Sequence, residues 1–389
     1  MIFEIQGVDF INKGGELMTH AAVQHFSGSE KDNIVAAHLR MGTFEQRGKT
    51  GLYHLTWAYV EKFPQAGPLI NSLSSFLPQK LRHSFKLITA KEVQTVLDAS
   101  GFTYGDQQGG RMIEIMANRI KMRKKEGKKI ILLPQAFGPF KSKRVKAAFL
   151  EILENADLVF ARDEISYQYL QEIQGLVKNC PPIKISPDFT NLVKGEVPEY
   201  FDTKLRRGCI VPNYRMIQRT TQEIKEKYIS FLALCVKYLL KKEIEPFVLI
   251  HETNKDYELA LQLQTQVGRS LEIIQEQSPL YIKGILGNSF IVIGSRFHSL
   301  VSTLSQAVPC LGTGWSHKYQ MLFNDYNCSE CLISPADSEE KVYNALDLIV
   351  EEPSRSDIVS RLNVASQEQK KLTSEMWEEV EQFLQYEKK

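Results

Sequence analysis

Short apolar runs alternate with amphipathic helical runs along almost the whole chain. KIILLPQAFGPF (129–140), the strand within ADLVFARDEISYQYL (156–170), PFVLIHE (246–252) and SFIVIG (289–294) each hold a continuous apolar core ended by glycine, proline or polar residues. Strands without an apolar/polar alternation are buried on both faces, and a helix after each strand covers those faces in a parallel sheet. The pattern predicts an α/β protein built from two Rossmann-like halves.

At 389 residues the chain exceeds what one hydrophobic core usually supports. The first domain is read as 1–195, a polar Pro- and Gly-bearing stretch at about 191–207 as the linker, and the second domain as 208–335. Two helices over 336–389 follow, the last from about Ser356 to Tyr386, long enough to pack back across the domains. Lys and Arg number 48 against 46 acidic residues, so a net charge of +2 gives no footing for nucleic acid. Glu4 and Asp9 stand where a signal peptide needs positive charge, and no apolar run approaches the ~18 residues of a membrane span. A cytoplasmic protein is expected, with peripheral association at the inner membrane face compatible. The six cysteines are scattered, and the single CxxC at Cys328 and Cys331 has no second pair or nearby histidine, so packed reduced thiols are expected and no metal.

Near the start, IFEIQGV reads as a strand and Leu17, Ala21, Ala22 and Phe26 as one face of a helix. Between them Asn12, Gly14 and Gly15 form a turn whose free amides could hold an anion. GTFEQRGKT (42–50) has the residue types of a phosphate-binding loop, but Gly42 and Gly48 enclose five residues where four are needed. A solvated loop with Arg47 and Lys49 on its surface is expected instead. The stretch 57–79 is mixed, with three prolines, and predicts only helical pieces and loops. DASGFTYGD (98–106) carries Asp98, Ser100 and Tyr104 to the mouth of a polar turn, and KMRKKEGKK reads as a solvated helix end.

Ser289 to Lys318 concentrates chemistry. A buried strand ends at Gly294, and Ser295, Arg296 and His298 follow in the turn. Phe297, Leu300, Val301 and Leu304 then recur at helical spacing, which puts Arg296 and His298 off the core face. Gly312, Gly314 and Lys318 come one strand later. Parallel sheets bind ligands at the carboxyl edge of their strands, and cations from separate loops converging there suit a multiply anionic ligand.

These segments resemble the polysaccharide pyruvyl transferases. The resemblance rests on GVDFINKGGE, LPQAFGPF, FARDEIS, the SPD ending at 188, SRFH, AVP and SHK, and spans residue 5 to about 320. Where members often carry a run of glycines after a strand, this chain has DASGFTYGD. The resemblance implies two Rossmann-like domains with parallel sheets facing a cleft, as in GT-B glycosyltransferases, the first domain on the acceptor side and the second on the donor side. It implies transfer of pyruvate from phosphoenolpyruvate to two hydroxyls of a sugar, closing a cyclic ketal and releasing phosphate, without a cofactor.

The matching positions are Arg162, His298 and Lys318 as catalytic residues, with Arg296 in support. Phosphoenolpyruvate carries a carboxylate and a phosphate, so Arg162 and Lys318 would offset its charge, and His298 would handle the proton for the methylene carbon. Ser295, Asn12, Gly14, Gly15, Asp98 and Asp188 complete the expected binding residues, Asp188 serving equally well as a turn cap. A lipid-linked sugar acceptor and a homo-oligomer are both compatible with the sequence. Two other readings stand beside this one: a glycosyltransferase of the same fold using a nucleotide sugar, and a catalytically silent glycan-binding protein. A dinucleotide dehydrogenase is excluded because no GxGxxG follows any strand.

Overall fold

A computed structural model describes residues 1–27, 33–56, 77–252 and 254–386. Its contacts divide the chain into two compact units. One comprises Met1–Phe10 and Met18–Phe189, the other Ile11–Leu17 and Thr190–Lys389. The boundary thus falls at 189/190, a few residues before the expected one, and the two helices beyond residue 335 count with the second unit. The first turn of the helix Lys13–Phe26 also counts with the second unit, a division that no local pattern announces.

The first unit holds an eight-stranded sheet. Its strands are β1 (Ile2–Gln6), β2 (Ile34–His38), β3 (Tyr53–Thr56), β4 (Leu87–Thr89), β5 (Thr95–Asp98), β6 (Lys129–Gln135), β7 (Leu158–Ala161) and β8 (Ile183–Ile185). The order is β4-β3-β2-β1-β5-β6-β7-β8, and every pairing is parallel. The order reverses between β1 and β5. Ile130, Leu132, Val96 and Val159 from the strands pack with Ile113, Ile120, Phe149 and Ile152 from the helices Gly110–Lys125 and Lys143–Asn155.

β3 and β4 were not foreseen. YHLT and LIT are too short to show a period, and pairing with the adjacent strands decides their state. Most of the mixed stretch 57–79 lies outside the described residues.

Two surface expectations are overturned. Arg47 is buried, in the short helix Phe44–Lys49. Its Nε donates to Nδ1 of His54 at 3.0 Å, and Nη1 donates to the carbonyls of Leu39, Met41 and Gly42. One guanidinium there gathers three loop carbonyls. Arg123, expected at a solvated helix end, is fully buried and ion-paired to Glu4 of β1 and to Glu126.

The second unit holds five strands, β9 (Arg207–Val211), β10 (Glu245–Ile250), β11 (Glu272–Gln275), β12 (Ile291–Gly294) and β13 (Cys310–Gly312), in the order β11-β10-β9-β12-β13, all parallel. The order reverses between β9 and β12. Cys209, Ile210, Val248, Leu249, Val292 and Ile293 are buried against the helices Gln222–Lys241, Phe297–Leu304 and Glu339–Val350. Cys328 and Cys331 are buried free thiols in this core.

The amino-terminal edge of the second sheet is closed by stacked cations. The Phe290 ring, just before β12, lies between the guanidinium of Arg206 at 4.1 Å and that of Arg355 at 3.6 Å. Arg355 also donates to the carbonyls of Ile349 and Phe290, tying the helix Ser354–Tyr386 to that edge. The expected linker is packed as well: Glu196 donates its amide to the Leu280 carbonyl, and Gly195 lies so near Gly284 that an added Cβ would come within 2.6 Å of the Gly284 amide nitrogen.

Candidate active site

In the second unit the carboxyl ends of β9 and β12 are joined at the point where the strand order reverses, where sheets of this kind place ligands. Nδ2 of Asn213, beyond β9, donates to the carbonyl of Ser295, beyond β12, at 2.6 Å. The same carbonyl accepts the Tyr319 hydroxyl at 3.0 Å, and Oγ of Ser295 lies 2.7 Å from the Tyr228 hydroxyl. Ser295 has no exposed surface, so its expected contact with substrate is replaced by a structural one. Its three partners fix the turn from which Arg296 and His298 project.

Arg296 stands at the N-cap of the helix Phe297–Leu304 and is buried. Its two terminal nitrogens are taken up by Glu252 and Asp256. Asp256 also accepts the amide of Tyr214 at 2.9 Å, so one buried carboxylate ties the loop after β9 to the guanidinium. Burial pulls the Arg296 pKa down to about 10, which still leaves a cation at neutral pH. Arg296, expected as a supporting cation, is thus an arginine held by two acids. Tyr214, Arg215, Gln218, Glu252, Lys255 and Arg296 line a cavity of about 170 Å³ at this edge, with the Lys255 ammonium 4.5 Å from the centre of the Tyr214 ring.

His298 lies against the first turn of the helix Lys13–Phe26. A Cβ built on Gly14 would stand 2.2 Å from Nδ1 of His298, so only glycine admits the imidazole here. Gly14 and Gly15 are inside the helix rather than in the turn before it. Asn12 caps that helix, its side-chain oxygen accepting the Gly14 amide at 2.9 Å. Lys13 and Glu16 form a 2.8 Å ion pair with both side chains largely buried. The Phe297 ring meets His298 edge-on at 5.5 Å.

Lys318, in the helix His317–Asp325, has its ammonium 4.8, 5.2 and 5.5 Å from the ring centres of Phe297, Trp315 and Tyr319. Three aromatic faces attract a cation by their quadrupoles. His251, one residue past β10, is also buried at this edge. Burial pushes its pKa well below the ordinary imidazole value, and the charges of Arg296, His298 and Lys13 push the same way.

The remaining expected residues belong to the first unit. Asp98 ends β5 beside β1 and is fully buried. It accepts from Gln6 Nε2 at 2.9 Å, the Tyr104 hydroxyl at 2.8 Å and the Ser100 amide at 3.2 Å, while burial raises its pKa above the usual carboxylate value. Arg162 follows β7 and pairs with Asp188 at 3.0 Å, both buried. The neighbouring Asp163 caps the helix Glu164–Gln174 by accepting the Ser166 amide.

The second unit thus brings together Asn12, Gly14, Gly15, Ser295, Arg296, His298 and Lys318, while Asp98, Arg162 and Asp188 lie in the first. Asp256 and the aromatic seat of Lys318 escaped the sequence reading, which put Glu252 at the end of the PFVLIHE strand without its partner. Glu252 and Asp256 carry a signal, two acids four residues apart after a buried strand, although their target is a residue 40 positions away.

The α/β fold with parallel sheets is GT-B-like. Similar solved structures include S. aureus MnaA with UDP (TM-score 0.57, 11% identity, covering 99% of this chain and 96% of that one). UDP-GlcNAc 2-epimerase from Neisseria meningitidis bound to UDP-GlcNAc is similar at TM-score 0.54, 9% identity, 98% and 99% coverage. The spinosyn rhamnosyltransferase SpnG is similar at TM-score 0.52, 12% identity, 97% and 100% coverage. A search of curated proteins found no match to this sequence. The model of the polysaccharide pyruvyl transferases matches residues 12–317, and the chain belongs to that family. It is a transferase of polysaccharide pyruvylation. Among the described residues no helix is long and apolar enough to cross a membrane.

Proposed function

We propose that this protein transfers pyruvate from phosphoenolpyruvate to two hydroxyls of a sugar in a polysaccharide or glycan precursor. A cyclic ketal closes and phosphate leaves, with no metal or organic cofactor taking part. The observation that carries the reading is the seating of His298 against Gly14 within the segment the family model matches. It supports a proton-transferring imidazole held beside the amino end of a helix, where anions are favoured.

In this reading His298 protonates the methylene carbon of the donor. The central carbon then becomes electrophilic toward a sugar hydroxyl. Lys318 offsets one anionic group of the donor, and Arg162 is the other cation proposed for the donor's charge. Arg296, braced by Glu252 and Asp256, fixes the turn that carries His298.

The test is phosphate release from phosphoenolpyruvate in the presence of a panel of glycans and lipid-linked sugars. Release that depends on one acceptor, with His298→Ala abolishing it, is expected. Thermal protection by nucleotides and not by phosphoenolpyruvate would instead mark a glycosyltransferase, and glycan binding without turnover a silent binding protein.

A further inference from the structure

Ketal formation moves two protons. Both leave acceptor hydroxyls; one ends on the methyl carbon of the pyruvyl group and the other departs on phosphate. A single imidazole would have to donate to carbon while a hydroxyl beside it is losing its own proton. The stoichiometry therefore favours a second group that arrives at the site without a proton.

His251 has that character. It stands one residue beyond β10, at the carboxyl edge that also carries Ser295 and Arg296, and its side chain is 5% exposed. Buried ring nitrogens ordinarily find a hydrogen-bond partner. Nδ1 of His251 has none among the described residues. The charged groups acting on it come from three other segments: Arg296 after β12, His298 in the helix that follows, and Lys13 at the start of the helix Lys13–Phe26. Its chain neighbour Glu252 is taken up by Arg296, as is Asp256. With Glu252 and Asp256 committed to Arg296 and Glu16 to Lys13, the acids near the ring are already paired, and its Nδ1 is left without a hydrogen bond among the described residues.

We infer that His251 is a second catalytic imidazole, accepting the proton of an acceptor hydroxyl as its oxygen bonds to the central carbon of the donor; this rests on the pyruvyl-transfer reading above. In the first step the hydroxyl oxygen forms its bond to the central carbon, and the double-bond electron pair takes a proton from His298 at the methylene carbon. The hydroxyl proton passes to His251. In the second step the bond from the central carbon to the phosphate oxygen breaks, the electron pair leaves with phosphate, and His251 returns its proton to that oxygen. The second hydroxyl then closes the ketal, giving its proton to His298, and both rings end as they began.

The test compares the wild-type protein with His251→Asn, whose amide reproduces the reach of Nδ1 and cannot take up a proton. With an acceptor on which the wild type turns over, kcat should fall about 100-fold or more. KM for phosphoenolpyruvate should stay within about threefold, and the acid limb of the kcat/KM profile should disappear. Turnover within threefold of wild type with the acid limb intact would overturn the inference while leaving pyruvyl transfer standing. Absence of phosphate release by the wild type across the panel would overturn pyruvyl transfer itself, and His251's role with it. Should the Asn variant not fold, His251→Gln and an NMR titration of the wild-type imidazoles decide the point. A His251 ring already protonated at pH 7 would exclude it as the acceptor.

Discussion

Gly14 and His298 are in such close apposition that a methyl group on the first would overlap the imidazole of the second, with 2.2 Å from the added carbon to Nδ1. Residues 284 positions apart in the chain thus set one another's identity. Alanine within a helix normally stabilises by about 1 kcal/mol relative to glycine. Gly14→Ala should do the opposite, lowering the melting temperature by several degrees and phosphate release at least tenfold as the imidazole is pushed away. Calorimetry with the release assay checks both, and a stabilised, fully active variant would show that His298 is not held at this contact.

The Arg162–Asp188 pair is buried on both sides. Removing one partner leaves an uncompensated charge at a cost of about 3–5 kcal/mol, whereas replacing both by apolar residues of similar size is near neutral. Asp188→Ala should therefore unfold at markedly lower denaturant than wild type, and Arg162→Met with Asp188→Leu should recover most of that loss. The double variant should still fail to release phosphate if Arg162 grips the donor. Full activity in the double variant would remove Arg162 from the chemistry.

Lys318 lies against three aromatic faces. Lys318→Met keeps the packing and loses the charge, so protection from thermal unfolding by phosphoenolpyruvate should drop about tenfold or more in apparent affinity, with little change in the unliganded melting temperature. Trp315→Leu should produce a smaller loss in the same direction, since one of three ring faces is removed. An unchanged affinity in Lys318→Met would place the donor elsewhere.

His20 supplies a pH dependence. Burial lowers its pKa from 6.5 to about 4, so the unfolded chain takes up a proton over an interval where the folded one does not. Its contribution is fully present above about 6.5 and is lost as pH falls toward 4, up to about 3 kcal/mol in all. Denaturant midpoints measured from pH 7.5 to 4.5 should fall less steeply for His20→Gln than for wild type. Equal slopes would show that His20 is already protonated, or solvated, in the folded state.

The strand and helix succession was legible where a buried strand is written as a run of consecutive apolar residues, and IVIG and FVLI became β12 and β10 within a residue or two. β3 escaped because YHLT takes its state from pairing with β2 and β4, not from its own residues. At the site, residue types were readable and partners were not. Arg296 stood out in SRFH, yet only the ends of neighbouring strands bring Glu252 and Asp256 onto it. Ser295 looked accessible for the same reason: nothing near it in sequence announces Tyr228, 67 positions away. Long-range pairing with Glu4 likewise turned Arg123 from a surface cation into an interior one, while Arg47 went inside on contacts five to eight residues away that its loop-like pattern did not show.

The Phe290 ring clasped by Arg206 and Arg355 sits where the second sheet begins, and the imidazoles sit where it ends. Mechanical closure and chemical work are thus assigned to opposite termini of the same five strands. Someone seeking a more heat-tolerant version has a natural workbench at the Phe290 end. Extra cation–aromatic stacking or better apolar filling can be tried there with a whole strand length between the edit and any reacting atom.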